Sequence, residues 1–304
     1  MATISGGTTI HGFAEVARGI YLEGLIFDHR RDTIWYSDVI AGGVHGLGND
    51  GRTHVLDAER MWTGGLLVNT DGAILSSGVG GIRWNDPDDG GRGGWLLGEI
   101  DGVPINGVNE MVPDGAGGIV FGTIDLASIL VGQPTRPSAL YRLSKDGAVT
   151  LLAADMGLAN GIVRSADGAR LFCNSTFDGA YAFAIAADGS LHDRTQLLDK
   201  PDCDGMAIDA EGMLWVTGFR SGALTRMHPD GTVIEEVPTP AEAITQVRFG
   251  GVDLTDVYIT AVPGDGGDDL AEGRMPTEQR SVLYRGRSRV PGLPVAPPAF
   301  ALAE

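Results

Sequence analysis

Four residues far apart in the chain carry oxygen donors just ahead of an apolar run: Glu23 in LEGLIFD, Asn109 in VNEMVPD, Asn160 in ANGIVRS and Asp204 in CDGMAID. Three of them, Glu23, Asn160 and Asp204, are followed by glycine. Carboxylate and amide oxygens are the donors a hard cation such as Ca²⁺ or Mg²⁺ takes, with waters completing the shell. Two carboxylates neutralise such an ion; without it they repel, and one keeps its proton. Taken singly, Asn or Asp before a strand is an ordinary turn residue. What separates these four from turn residues is a shared register. Each stands 10 or 11 residues ahead of a marker in a repeated strand, and the equivalent positions of the other two repeats are Thr63 or Gly64 and Gln246 or Thr245.

The elements that must position them form six copies of one pattern, a turn followed by an alternating apolar strand. The markers are Ile34, Ile74, Ile119, Leu171, Leu214 and Val257, spaced 40, 45, 52, 43 and 43 residues apart. That is the period of a four-stranded propeller blade. Hairpins with DG- or GG-type turns follow the first five copies, as the outer strands of a blade require. The sixth copy is short, and the N-terminal FAEVA at 13–17 is expected to complete it and close the ring. The prediction is an all-β, six-bladed propeller in a single domain over 1–304, with an extended Pro-rich tail from about 291. The innermost strands line a central channel, where the donors of distant repeats converge. The insertion 125–132 is read as a loop or single turn over a channel mouth, and 264–280 as a mobile polar surface loop.

Bulk properties narrow the partners. A net charge of −18 disfavours nucleic acid and anionic membrane surfaces. No run of 18 apolar residues or secretory leader is visible, so a cytoplasmic location is the expectation. Two cysteines, Cys173 and Cys203, make neither a disulfide framework nor a CxxC knuckle. There is no HExxH pair and no GxSxG elbow.

The motifs LEGLIFD, LANGIVRSADGARLF, KPDCDGMAIDAEGMLWVTGF and ITQVRFGGVDLTDVYIT together resemble the senescence-marker-protein-30, gluconolactonase and regucalcin family over about 13–290. The resemblance implies a six-bladed propeller with one divalent metal on Glu23, Asn160 and Asp204, and Asn109 as a further ligand or a substrate contact. Calcium is the first expectation, with Mg²⁺, Mn²⁺, Zn²⁺ or Fe²⁺ as the others. Many members hydrolyse sugar lactones. This chain departs from the pattern in carrying Asn109-Glu110 in place of Asn-Asp. It also has Gly107 where sugar-lactone members often carry Arg, which points away from a gluconolactone-like substrate. No histidine lies between 240 and 262, which weighs against the phosphotriesterase-like relatives.

The expected chemistry is metal-dependent hydrolysis of a small lactone or ester, with Asp204 as first choice for the base and Glu23 as second. A carboxylate bound tightly to metal is a poor base, so this role needs a loosened Asp204 or a second water. Trp62, Met111, Phe219, Arg220 and Gln246 are the expected pocket wall, with Arg220 as the anchor for anions or hydroxyls. Two other readings stand beside it: non-hydrolytic metal-assisted chemistry on a specialised metabolite, and a metal-binding propeller without catalysis. The oligomeric state is left open.

Overall fold

A computed structural model describes residues 8–302. It contains six four-stranded antiparallel sheets and one small two-stranded ribbon, Glu99–Ile100 with Val103–Pro104. The innermost strands are Leu22–Asp28, Thr63–Val68, Val108–Pro113, Leu158–Arg164, Cys203–Ile208 and Ala243–Gly250, defining blades 1 to 6. Each packs against the innermost strand of the next blade, and blade 6 returns to blade 1. The molecule is a closed six-bladed β-propeller.

Blade 6 consists of Ala243–Gly250, Asp256–Val262, Ser281–Ser288 and, as its outer strand, Ile10–Gly19. The N-terminal strand therefore closes the ring as expected, pairing Glu15 with Tyr284 and Arg18 with Val282. This supplies the outer strand that the short sixth repeat lacks.

Burial follows position in the blade. Val108–Pro113 and Cys203–Ile208 are buried at every residue, as innermost strands packed on both faces must be. The outer strand Val149–Met156 is mostly exposed or half-buried. The core is divided into wedges between neighbouring blades: Trp35 and Leu66 lie between blades 1 and 2, and Met206 and Phe172 between blades 4 and 5.

The two insertions each hold a short helix, Leu126–Ile129 in blade 3 and Gly266–Ala271 in blade 6. Both follow the second strand of their blade, on the face where the innermost strands begin. Residues 291–302 form neither helix nor strand but are held on the opposite face. Leu293 N–H donates to Ile208 O (3.0 Å) in blade 5, Thr70 N–H of blade 2 to Pro298 O (2.9 Å), and Ala299 N–H to Gly117 O (2.8 Å) in blade 3. Asn69 then brackets Phe300 by bonding both its N–H and its C=O at 3.0 Å, and the ring is 6% exposed. No helix among the described residues is long and apolar enough to cross a membrane.

Candidate metal centre and active site

Each innermost strand carries a register shift at the same place, near its start: between Leu22 and Leu25, Thr63 and Leu66, Val108 and Met111, Ala159 and Ile162, Cys203 and Met206, and Ile244 and Gln246. Glu23, Asn109, Asn160 and Asp204 all sit within these bulges. A bulge re-aims a side chain at the cost of ladder hydrogen bonds, and the bulges of blades 1, 3, 4 and 5 carry these four donors, while that of blade 2 holds only Gly64 and Gly65. The glycine after three of the donors has a steric reason. A β-carbon at Gly161 would lie 2.7 Å from Asp204 O, and one at Gly205 2.6 Å from Gln246 Cα, while at Gly24 it would overlap the Gly64 carbonyl. Neighbouring innermost strands pass too closely there for any side chain.

The backbone freed by the bulges is held by polar side chains on the second strands. Ser77 Oγ donates to Asn109 O (2.7 Å), Asn174 Nδ2 to Asp204 O (2.8 Å), and Thr260 Oγ1 to Glu23 O (2.8 Å). Ser37 Oγ accepts from Gly24 N–H (2.8 Å), and Thr217 Oγ1 donates to Gly205 O (3.4 Å). These five residues each stand three positions after a strand marker, a second regularity of the sequence beside the donor register. In blade 3 the position is Gly122.

Asp204 is 5% exposed, and its Oδ1 is buried without a hydrogen-bond partner. Burial, then the charges of Glu23 and Glu110, hold its carboxyl well above the usual range. Burial and the Glu110 charge push Glu23 up to about 7. Asn160 Nδ2 donates to Thr176 Oγ1 (3.2 Å) and Asn109 Nδ2 to Ala159 O (3.1 Å), which leaves the oxygen of each amide as the atom available to a cation. Two mutually repelling carboxyls, an orphaned acceptor and amide oxygens are a donor set that suits a hard divalent cation. Among the described residues no group of three or more His, Cys, Asp or Glu has metal-holding geometry, so a centre here depends on the asparagines.

Two residues outside the predicted set belong to this cup. Glu110, 2% exposed, reaches across the channel to blade 6. Its Oε2 accepts from Gln246 Nε2 and from Arg248 Nη2 (3.1 Å), and its Oε1 from Met111 N–H (2.9 Å). Burial raises its carboxyl and Arg248 opposes that rise. Tyr21 lies within the field of Glu23 and Asp204, and its buried phenol is held well above its ordinary value, first by burial and then by those charges.

The predicted pocket wall separates into three places. Trp62 and Phe219 stand at the mouth, half-buried beside Tyr21, Val39, Ile40 and Val262. Trp62 adopts φ +58°, a left-handed conformation costly for a bulky residue. Arg220 is exposed and paired with Asp268 on the blade 6 insertion (2.6 Å). Gln246 is buried in the channel floor, bonded to Glu110 and, through Oε1, to Arg248 (2.8 Å). Met111 is instead packed in the apolar wedge between blades 2 and 3, 1% exposed. In a regular strand it would share a face with Asn109, but the bulge between Val108 and Met111 inverts the alternation.

Fold and site together define a six-bladed propeller with a buried cup of acids and amides at one end of its channel. Residues 22–263 match the SMP-30/Gluconolactonase/LRE-like region, and the chain belongs to that family. It is 26% identical over 275 residues to a pentonolactonase of Haloferax volcanii, covering 86% of this chain and 89% of that one. It is 27% identical over 289 residues to a 6-deoxy-6-sulfogluconolactonase of Pseudomonas putida, covering 91% and 93%. The solved structure of a luciferin-regenerating enzyme superposes with a TM-score of 0.81 at 18% identity, over 96% of this chain and 99% of that one.

Proposed function

We infer that this protein is a hydrolase of small lactones or esters that works with one divalent metal ion, calcium first among the candidates. Glu23, Asn160 and Asp204 would hold the ion, with Asn109 as a further ligand or a substrate contact. The observation that carries the reading is Asp204 Oδ1, an acceptor sealed from water and given no donor, in electrostatic contact with a second raised carboxyl. Two relatives matched over most of their length and named as lactonases point the same way.

When bound, such a cation polarises the substrate carbonyl and stabilises negative charge on its oxygen. Asp204 Oδ1 is the first candidate to take the proton of the attacking water, and Glu23 the second. Because a carboxylate bound tightly to a cation is a poor base, the role calls for a loosened Asp204 or a second water that relays the proton. The water oxygen bonds to the acyl carbon, the ring C–O bond breaks, and the proton held on Asp204 passes to the departing alkoxide. The product is a hydroxy acid. Trp62 and Tyr21 narrow the mouth above the carboxylates, and the Glu110–Gln246–Arg248 network closes the channel below them.

The test is hydrolysis of a lactone panel by chelator-treated protein, before and after Ca²⁺, Mg²⁺, Mn²⁺ or Zn²⁺ is restored. Activity lost on chelation, restored by one metal and absent in Asp204→Ala supports the reading. Folded, metal-loaded protein that opens no lactone or ester refutes it.

A further inference from the structure

The insertions of blades 3 and 6 leave opposite sides of the ring, yet they come close together. A β-carbon at Gly273 would lie 3.5 Å from Leu130 O and 3.6 Å from Gly132 N. Both insertions spring from the face that holds the acid and amide cup, so their meeting spans the mouth. The blade 6 helix Gly266–Ala271 rests on the rim: a β-carbon at Gly267 would overlap the Phe219 ring, and Leu270 joins the apolar cluster of Trp62, Phe219, Ile20 and Tyr21. That cluster runs without a break from the roof to Tyr21, which lies in the field of Glu23 and Asp204.

Four arginines near this roof are each paired with a carboxylate. Arg220 is paired with Asp268, Arg136 with Asp125, Arg274 with Asp269 and Arg280 with Asp265. On the blade 3 side, the space over Gly107 is filled by Leu126 and Ile124. A β-carbon there would meet Leu126 Cδ1 at 2.7 Å and Ile124 Cγ2 at 2.9 Å, so no longer side chain fits. Around the rim, then, the charged side chains of the insertions face partners of their own, and the surface that leads from Leu270 to Tyr21 is apolar; a hydroxyl buried against it without a partner is costly.

We propose that the two insertions form a roof whose apolar underside, centred on Leu270, Phe219 and Trp62, selects lactones with an alkyl or aryl substituent over polyhydroxylated ones, with Arg220–Asp268 as its latch. This specificity rests on the hydrolase reading for its chemistry, but the recognition it describes is measurable without turnover.

The experiment compares an alkyl-substituted γ-lactone with a γ-lactone bearing hydroxyls on the same ring. Wild-type protein is measured beside Leu270→Ser and Asp268→Ala, both on a surface insertion. Matching lactams, which are not hydrolysed, are titrated by calorimetry in parallel. The expected result is a wild-type preference for the alkyl lactone. Leu270→Ser then raises its KM roughly tenfold, the usual scale for a lost apolar contact, with kcat within about twofold and the hydroxylated lactone unaffected. Asp268→Ala raises the same KM by a smaller factor. If neither lactone is opened but the alkyl lactam binds and Leu270→Ser weakens it, the hydrolase reading falls and the roof stands. A preference for the hydroxylated ligand, an effect of Leu270→Ser equal on both, or no binding of the alkyl lactam overturns the roof, whatever the turnover.

Discussion

Replacing Glu23 by Gln should make the metal-free protein more stable at alkaline pH while removing much of what a divalent cation contributes. Burial, with the neighbouring Glu110 charge, lifts the Glu23 carboxyl from 4.5 to about 7 in the folded chain. A carboxyl raised on folding favours the folded state while it is protonated. Its contribution is complete below the unfolded value and is lost as the pH rises through the folded one. Ionising it in the folded protein therefore costs up to about 3 kcal/mol above pH 7, which for a chain of this length is roughly 5 °C in Tm. Gln keeps the shape and removes the charge. The assay is thermal unfolding in chelator at pH 5 and pH 8, each variant compared with wild type at the same pH. The difference should be small at pH 5 and favour Glu23→Gln by several degrees at pH 8. Saturating calcium should then raise wild-type Tm at pH 8 more than at pH 5, and raise the variant far less. A metal-free variant that melts below wild type at pH 8, or that gains as much from calcium, refutes the reasoning.

Further predictions follow from other contacts. Asp204→Ala should lower lactone hydrolysis by a factor of about 100 or more, the usual contribution of a positioned base, measured as kcat/KM with metal present. Arg248→Met strips the buried Glu110 of its cation and should cost about 3 kcal/mol in denaturant unfolding, as breaking a buried pair does; Glu110→Gln in the same chain should restore most of it. Phe300→Ala, on the face away from the cup, should cost about 3 kcal/mol by emptying the wedge that also contains Trp84 and Phe121, with kcat/KM unchanged.

The period and the donor register were legible because both are one-dimensional. Six turn-and-strand copies must stack, and Glu23, Asn109, Asn160 and Asp204 occur at a constant offset from them. The N-terminal strand was legible as a missing piece of the sixth repeat. Met111 was hidden by its bulge, because a period of two read through a bulge assigns the wrong face. Glu110 was passed over as a departure from a motif, since its role depends on Arg248 across the ring, 138 residues away. The hydroxyls of Ser77 and Thr260 were legible in principle, three residues past their markers, but only once it is asked where the broken ladder's backbone groups find partners. The close approach of Gly273 to Leu130 has no sequence signature, because two insertions of unlike length come together only when the ring is built.

The three acids of the channel are not equivalent, and the difference bears on what the cup can hold. Glu110 is neutralised by Arg248 and bonded to Gln246, so its charge is answered within the protein. Glu23 and Asp204 have no cation paired with them among the described residues, and each is pushed upward by burial and by negative neighbours. The unanswered charge of the fully ionised cup is therefore that of two carboxylates, which matches one divalent ion. Glu110 already pushes Glu23 and Asp204 upward; without Arg248 that push would be unopposed, and the cup would keep more protons at neutral pH. The glutamate's bonds to blade 6 thus occupy its own oxygens, leaving Glu23 and Asp204, with the oxygens of Asn109 and Asn160, as the donors a cation would meet.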